Sequence, residues 1–199
     1  MAFIITLTGA SQCGKSVVHN LLLKHADDIF HPVVFKKYTT RPARGYEDDI
    51  TPVNKIPADC DLVYEQYGVR YGFHFDDLYD LLEQGKSPII VLNDVRAVED
   101  VRTALAPQVI SIFMYRKPPI FESFLKEEKT RAADGSSEQL IYDTARSRFD
   151  KAKAIYRIYT ENIYLFDHVI LNIDDLKYTE QQVGHIVAVL KATIKQLED

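Results

Sequence analysis

Residues Gly9-Ala10-Ser11-Gln12-Cys13-Gly14-Lys15-Ser16 satisfy the spacing G-x-x-x-x-G-K-[ST]. That order suits the capture of a polyphosphate. Backbone N–H groups wrap the phosphates, the lysine reaches the β and γ oxygens and the hydroxyl residue holds Mg²⁺. The two glycines let the backbone approach the anion closely. The candidate nucleotide-binding residues are therefore Gly9, Ala10, Ser11, Gln12, Cys13, Gly14, Lys15, Ser16 and Val17, with Ser16 the candidate metal ligand. Cys13 occupies a variable position of the pattern, and its thiol has no required contact with phosphate.

A second group of cations lies downstream. Lys37-Tyr38-Thr39-Thr40-Arg41-Pro42-Ala43-Arg44 places three positive charges within eight residues, two of them guanidiniums suited to bidentate phosphate contacts. Such a segment suits a bound phosphate, and a solvated charged loop is the alternative use.

The elements that must hold these residues can be read from periodicity. Phe3-Ile4-Ile5-Thr6-Leu7 is a β-prone run, and Val17, Val18, Leu21 and Leu22 follow the glycine loop at helical spacing. Val33-Val34-Phe35 predicts a second strand. Leu78, Leu81 and Leu82 predict a helix that stops at Gly85. The stretch between them reads as polar and irregular. Ile89-Ile90-Val91-Leu92 and the run from Val109 to Met114 predict buried parallel strands. Residues 118–163 read as charged helix broken near Asp134-Gly135. His168-Val169-Ile170-Leu171 predicts a last strand, and a helix from about Thr179 closes the chain. This alternation predicts an α/β fold, a mostly parallel five-stranded sheet with helices on both faces. Residues 45–70 and 126–145 are expected to be the movable parts.

Composition narrows the function. With 199 residues, 46% of them hydrophobic, the chain is long enough to bury one substantial core and is expected to form a single domain, 1–199. Its net charge of -5 provides no overall positive field for a nucleic acid, so phosphate binding must be local. Two cysteines, Cys13 and Cys60, form neither a disulfide framework nor a C-x-x-C pair. The apolar N-terminal run has no basic segment before it, and no stretch approaches the ~18 apolar residues of a membrane span. A cytoplasmic protein without nucleic-acid or membrane partners is expected. The six histidines show no metal-ligand spacing; His74 alone lies close to the candidate acceptor segment. Pro118-Pro119 and the tyrosines Tyr156, Tyr159 and Tyr164 suit internal packing or the contact of a homodimer, internal packing being the commoner use.

In motif order the chain resembles the guanylate kinases, whose fold is that of the P-loop NTPases with a small acceptor-binding and lid region. The likeness rests on the glycine loop, Thr39-Thr40-Arg41 with Arg44, Tyr71-Gly72, Gly85-Lys86, Leu92-Asn93-Asp94, Pro118-Pro119, Phe166-Asp167 and Asn172, which span nearly the whole chain. The resemblance implies ATP as phosphoryl donor, Mg²⁺, and a small phosphorylated acceptor. It places the acceptor region at about 36–75 and the ATP lid at about 126–148. It assigns the acceptor phosphate to Arg41, Arg44 and Tyr71, and the guanine ring to Asp94. It makes Arg131 and Arg148, with Lys15 and Arg41, the candidate catalytic residues, Arg146 matching less well.

Particular residues depart from that pattern. The D-Y-x-F segment expected after the arginines is replaced by Asp48-Asp49-Ile50-Thr51-Pro52-Val53, and Phe73 stands where a Ser or Thr follows Tyr-Gly. The guanine-reading glutamate has no counterpart beyond nearby Glu65. Lys37 replaces a serine and Arg96 a glutamine, both adding positive charge on the acceptor side. Asn93-Asp94-Val95-Arg96-Ala97 and the basic residue before Tyr38 are similar to the ribose 1,5-bisphosphate phosphokinases. The acceptor is thus GMP, which the greater part of the motifs favours, or a sugar phosphate, with Lys37 and Arg96 joining Arg41, Arg44, Tyr71 and Asp94 as its candidate ligands. A non-catalytic binding module is disfavoured by the intact Lys15 and Ser16. A regulatory GTPase is disfavoured by the lack of N-K-x-D and D-x-x-G motifs.

Overall fold

The structure is a computed structural model that describes residues 1–10, 13–42, 48–66, 68–116, 120–132 and 137–198, excepting the side chains of Arg131, Ile155 and Glu198. Ser11, Gln12, Arg44 and the Pro118-Pro119 pair lie outside the described residues.

All six residues of Ile4–Gly9 (β1) are buried, as a continuous apolar strand must be when helices cover both faces of its sheet. Parallel neighbours Ser87–Val91 (β7) and Val109–Arg116 (β8) flank it. Pro32–Val34 (β2) and His168–Asn172 (β9) complete a five-stranded parallel sheet of order β2-β7-β1-β8-β9. Strand alternation divides the core. Ile5 and Leu7 pack with Val18 and Leu22 of Lys15–Lys24 (α1) and with Val183, Val187 and Leu190 of Leu176–Glu198 (α6). Ile4, Ile90 and Leu92 pack on the other face with Leu78 of Phe75–Glu83 (α2) and Val98 and Val101 of Val95–Leu105 (α3). The expected α/β architecture is therefore the observed one.

Gly85 ends α2 as the sequence predicts. At φ 71 its N–H reaches the Leu82 carbonyl at 2.9 Å, and the Lys86 N–H reaches Leu81 at 2.9 Å. This is the paired closure of a left-handed glycine stop.

The stretch expected to be irregular is instead a second sheet. Lys37–Thr39 (β3), Ile50–Pro52 (β4), Leu62–Gln66 (β5) and Val69–Phe73 (β6) pair in the order β4-β3-β6-β5. These strands are three to five residues long and mix polar with apolar side chains, so none presents the long apolar run that marks a buried strand. Leu62 and Phe73 join the core cluster that contains Ile4 and Ile90. The second sheet is thereby seated on the first.

Phe121–Arg131 (α4) and Glu138–Glu161 (α5) form a helical hairpin with its own small core of Phe124, Ala145 and Ala152, supported by Phe121 and Phe149. Ser137 caps α5 by accepting the Leu140 N–H at 3.2 Å. Tyr156 and Tyr159 pack internally and Tyr164 is exposed. Among the described residues no helix is long and apolar enough to cross a membrane.

Candidate active site

The loop after β1 is shaped by two glycines. A Cβ on Gly9 would lie 2.6 Å from Cys13 Sγ and 2.8 Å from the carbonyl oxygen of Met114, its register partner on β8, so only a glycine lets Cys13 and β8 approach this closely. Cys13 is fully buried and fills the space above Gly9, a packing role its variable position in the motif did not reveal. Gly14 caps α1 at φ 100, a left-handed conformation that glycine adopts at little cost.

The N-terminus of α1 has no side-chain cap and no acidic residue in its first turn. By contrast, α2 carries Asp76 and Asp77 there, and α3 is capped by Asp94. A helix end presenting N–H groups and positive dipole, with no carboxylate in its first turn, is suited to an external anion. Lys15 Nζ donates to the Gly9 and Ala10 carbonyls at 2.7 and 2.8 Å and lies 3.9 Å from Cys13 Sγ. Burial depresses its pKa, and the neighbouring thiol opposes that shift. Burial likewise pushes the Cys13 thiol up, against the pull of the Lys15 charge. Ser16 and Val17 are exposed at the helix start.

One face of the second sheet carries two of the acceptor candidates, Lys37 and Tyr71. Cross-strand register places Tyr64 opposite Tyr71 and Thr39 opposite Tyr71, and the two tyrosine rings stack at 5.1 Å and 16°. Lys37 is 4% exposed. Its ammonium donates to the Val91 carbonyl at 2.8 Å, faces the Asp49 carboxylate at 3.5 Å and lies 5.9 Å from the Tyr71 ring centre. Burial is the chief cause of its depressed pKa. Asp49 opposes the shift, while the positive charges of Arg41 and Lys15 add to it. Lys15, Lys37 and Arg41 thus share one electrostatic neighbourhood. Arg41 leaves β3 with its N–H 3.3 Å from Thr39 Oγ1 and its guanidinium 3.2 Å from the Pro42 carbonyl.

Asp94 ends the loop after β7 and caps α3, accepting the Ala97 N–H at 3.0 Å. Its position beyond the carboxyl end of a parallel strand is where open α/β sheets bind ligands. Arg96 is exposed on the first turn of α3. Tyr64, absent from the sequence reading, belongs to this group. Burial pushes its phenol well up, and Tyr71, Asp94 and Asp49 add to the shift. Its only sequence signal was strand alternation, which puts Tyr64 and Gln66 on the site face and Glu65 on the exposed one. Gln66 Nε2 and the Tyr159 hydroxyl both donate to the Asn93 carbonyl at 2.7 Å, tying the segment after β7 to β5 and α5.

Phe73, where the resemblance led to a hydroxyl residue, is fully buried and packs edge-on against Phe35 at 5.4 Å. Its place is in the core. His74 stands edge-on to Tyr38 at 6.2 Å and 3.8 Å from Cys60 Sγ.

The helical hairpin holds the remaining arginines. Arg148 pairs with Glu128 and, at 3.5 Å, with Glu127, and stands over the Phe124 ring. It would have to exchange those carboxylates for phosphate oxygens to act on a substrate. Arg146 pairs with Asp150 and covers Phe121 and Phe149. Arg131 ends α4, and its side chain lies outside the described residues.

Parallel sheet, glycine loop and lysine-bearing helix start together define a P-loop kinase-like α/β fold. Among solved structures the chain is similar to a guanylate kinase from Anaplasma phagocytophilum, at TM-score 0.61 and 22% identity, covering 96% of this chain and 86% of that one. A shikimate kinase from Bacteroides thetaiotaomicron aligns at TM-score 0.40 and 11% identity over 95% and 98% of the two chains. No protein-family model matches the chain, and no curated protein does either.

Proposed function

We propose that this protein is an ATP-dependent phosphotransferase of the guanylate-kinase type, passing the γ-phosphoryl group of ATP to the phosphate of a small acceptor. The observation that carries this reading is the α1 start, which has no side-chain cap and no carboxylate in its first turn and holds the Lys15 ammonium against the Gly9 and Ala10 carbonyls. That end suits a donor triphosphate, and Lys37 of β3 with Arg41 just after it suits an acceptor anion.

In this reading Lys15 leaves the Gly9 and Ala10 carbonyls for the phosphate tail, and Arg41, with Arg44, orients the acceptor phosphate. An oxygen of that phosphate attacks the γ-phosphorus in line and ADP departs. The acceptor is already a competent nucleophile, so the residues act by positioning and charge stabilisation. No cluster of three His, Cys, Asp or Glu side chains suited to a metal occurs among the described residues. The exposed Ser16 hydroxyl fits Mg²⁺ held mainly by phosphate oxygens and water, as that ion is commonly bound. There it would neutralise phosphate charge.

GMP is the favoured acceptor, since Asp94, beyond the carboxyl end of β7, matches the guanine-reading aspartate of the family the chain resembles. The buried Lys37 supports a sugar phosphate as the second reading, because it adds an ammonium to the acceptor floor. The deciding experiment is ADP release from Mg-ATP with GMP, dGMP, AMP and ribose 1,5-bisphosphate in turn. Turnover selective for GMP supports the first reading and turnover selective for the bisphosphate the second. No turnover with any of them would overturn both.

Asp94 offers a separate check of the ring-reading role. Asp94→Asn keeps a good helix cap but removes the charge, while Asp94→Ala also loses the cap at a cost of about 1 kcal/mol. Under the GMP reading, both variants should raise the GMP KM roughly tenfold or more, as loss of a hydrogen bond to a charged group does. Only the alanine variant should melt measurably lower.

A further inference from the structure

The Asn172 side chain reaches the glycine loop after the central strand from the edge strand β9. Asn172 ends β9, opposite Arg116 at the end of β8, and its Nδ2 donates to the Cys13 carbonyl at 2.9 Å. Its Oδ1 accepts the Asp174 N–H at 2.9 Å, which fixes which end of the amide faces the loop. Asp174 itself has φ 64 and pairs with Arg116 at 2.7 Å.

The peptide between Cys13 and Gly14 is trans, so its C=O and N–H point in opposite directions. A donor that holds the Cys13 carbonyl on the Asn172 side therefore turns the Gly14 N–H to the other side. Gly14 is also close to this side chain: a Cβ there would lie 2.7 Å from Asn172 Nδ2. Glycine is thus required at position 14 twice, once for its φ of 100 and once because any side chain would displace the amide that orients the loop.

We propose that Asn172 is a positioning residue for nucleotide binding, holding the Cys13 carbonyl outward so that the Gly14 N–H is aimed at the donor phosphates. This rests on the reading of residues 9–16 as a triphosphate loop. Asn172 touches no substrate; it acts through the loop backbone. Through Asp174 and Arg116 it also ties the loop to the turn between β9 and α6.

The test compares Asn172→Leu and Asn172→Asp with the unaltered protein, measuring Mg-ATP affinity by calorimetry, KM for donor and acceptor separately, and the melting temperature. The aspartate keeps the acceptor for the Asp174 N–H and removes only the donor to Cys13. The leucine is neutral, so a loss shared by both variants cannot come from added charge. Both should weaken Mg-ATP binding roughly tenfold, the effect of one lost buried hydrogen bond. The donor KM should rise while the acceptor KM stays within twofold. Mg-ATP affinity unchanged in Asn172→Leu would overturn the proposal. Equal weakening of donor and acceptor with a lower melting temperature would overturn it too, by making Asn172 a prop of the fold. Failure of the unaltered protein to bind Mg-ATP would instead remove the triphosphate-loop reading beneath it.

Discussion

Lys15→Ala is expected to lower turnover by roughly 10²–10³-fold, the loss that follows removal of one preorganised donor from a developing charge. The ammonium lies against the Gly9 and Ala10 carbonyls at the mouth of the loop, within reach of anything bound at the α1 start. Burial already depresses its pKa, so it is a poorly hydrated cation, and a phosphate would restore the counter-charge that water does not supply. Removing it also strips two carbonyls of a donor, so the melting temperature must be followed beside the rate. A folded variant that still transfers phosphoryl groups at the original rate would end the assignment of residues 9–16 to the donor.

Lys37→Met should separate function from stability, because the effect on acceptor kinetics should far exceed that on stability. The ammonium is 4% exposed and held by the Val91 carbonyl and the Asp49 carboxylate. Methionine preserves an unbranched stem and removes the desolvation cost of a buried charge, and because the Asp49 carboxylate left behind is 28% exposed, water takes the place of its partner and the penalty of an orphaned buried charge is small. The Val91 carbonyl loses a donor, at about 1 kcal/mol. The variant should therefore melt no lower than the unaltered protein by more than a few degrees. Its kcat/KM for the acceptor should fall about 10–100-fold, the value of a hydrogen bond to a charged group.

The pH dependence follows from the same shift. Lys37 has a lower pKa folded than its ordinary 10.5, so between the two values the unfolded chain binds more protons and this group makes stability rise with pH. Below that window its cost is constant. Any stability advantage of Lys37→Met should consequently be largest near neutral pH and shrink as pH climbs towards about 10.5. Denaturant titrations at a series of pH values would check this. A large loss of stability with unchanged acceptor kinetics would make Lys37 a structural residue.

Much of the glycine loop and its setting, the candidate donor side, was legible because its signals are local. An apolar run, glycines at fixed spacing and a lysine at a helix start lie within about twenty consecutive residues, and backbone sterics alone limit what they can form. The parallel strands and the glycine stop at Gly85 were readable for the same reason. The acceptor side was less so. The four short strands of the second sheet carry Lys37, Tyr64 and Tyr71 on one face, yet no strand is long or apolar enough to declare itself, and their pairing is a property of register between distant segments.

The sequence by itself determined the parallel α/β sheet, the glycine loop leading into α1 and the cation-rich segment from Lys37 to Arg44, since each follows from side-chain pattern or backbone freedom within a short window. Only the tertiary structure decided that Lys37 is buried against Val91, that Phe73 belongs to the core, that Arg148 is held by two glutamates and that Asn172 grips the loop 159 residues before it. Those outcomes depend on which distant surfaces meet, and burial, pairing and charge proximity take their values only once the chain has closed on itself.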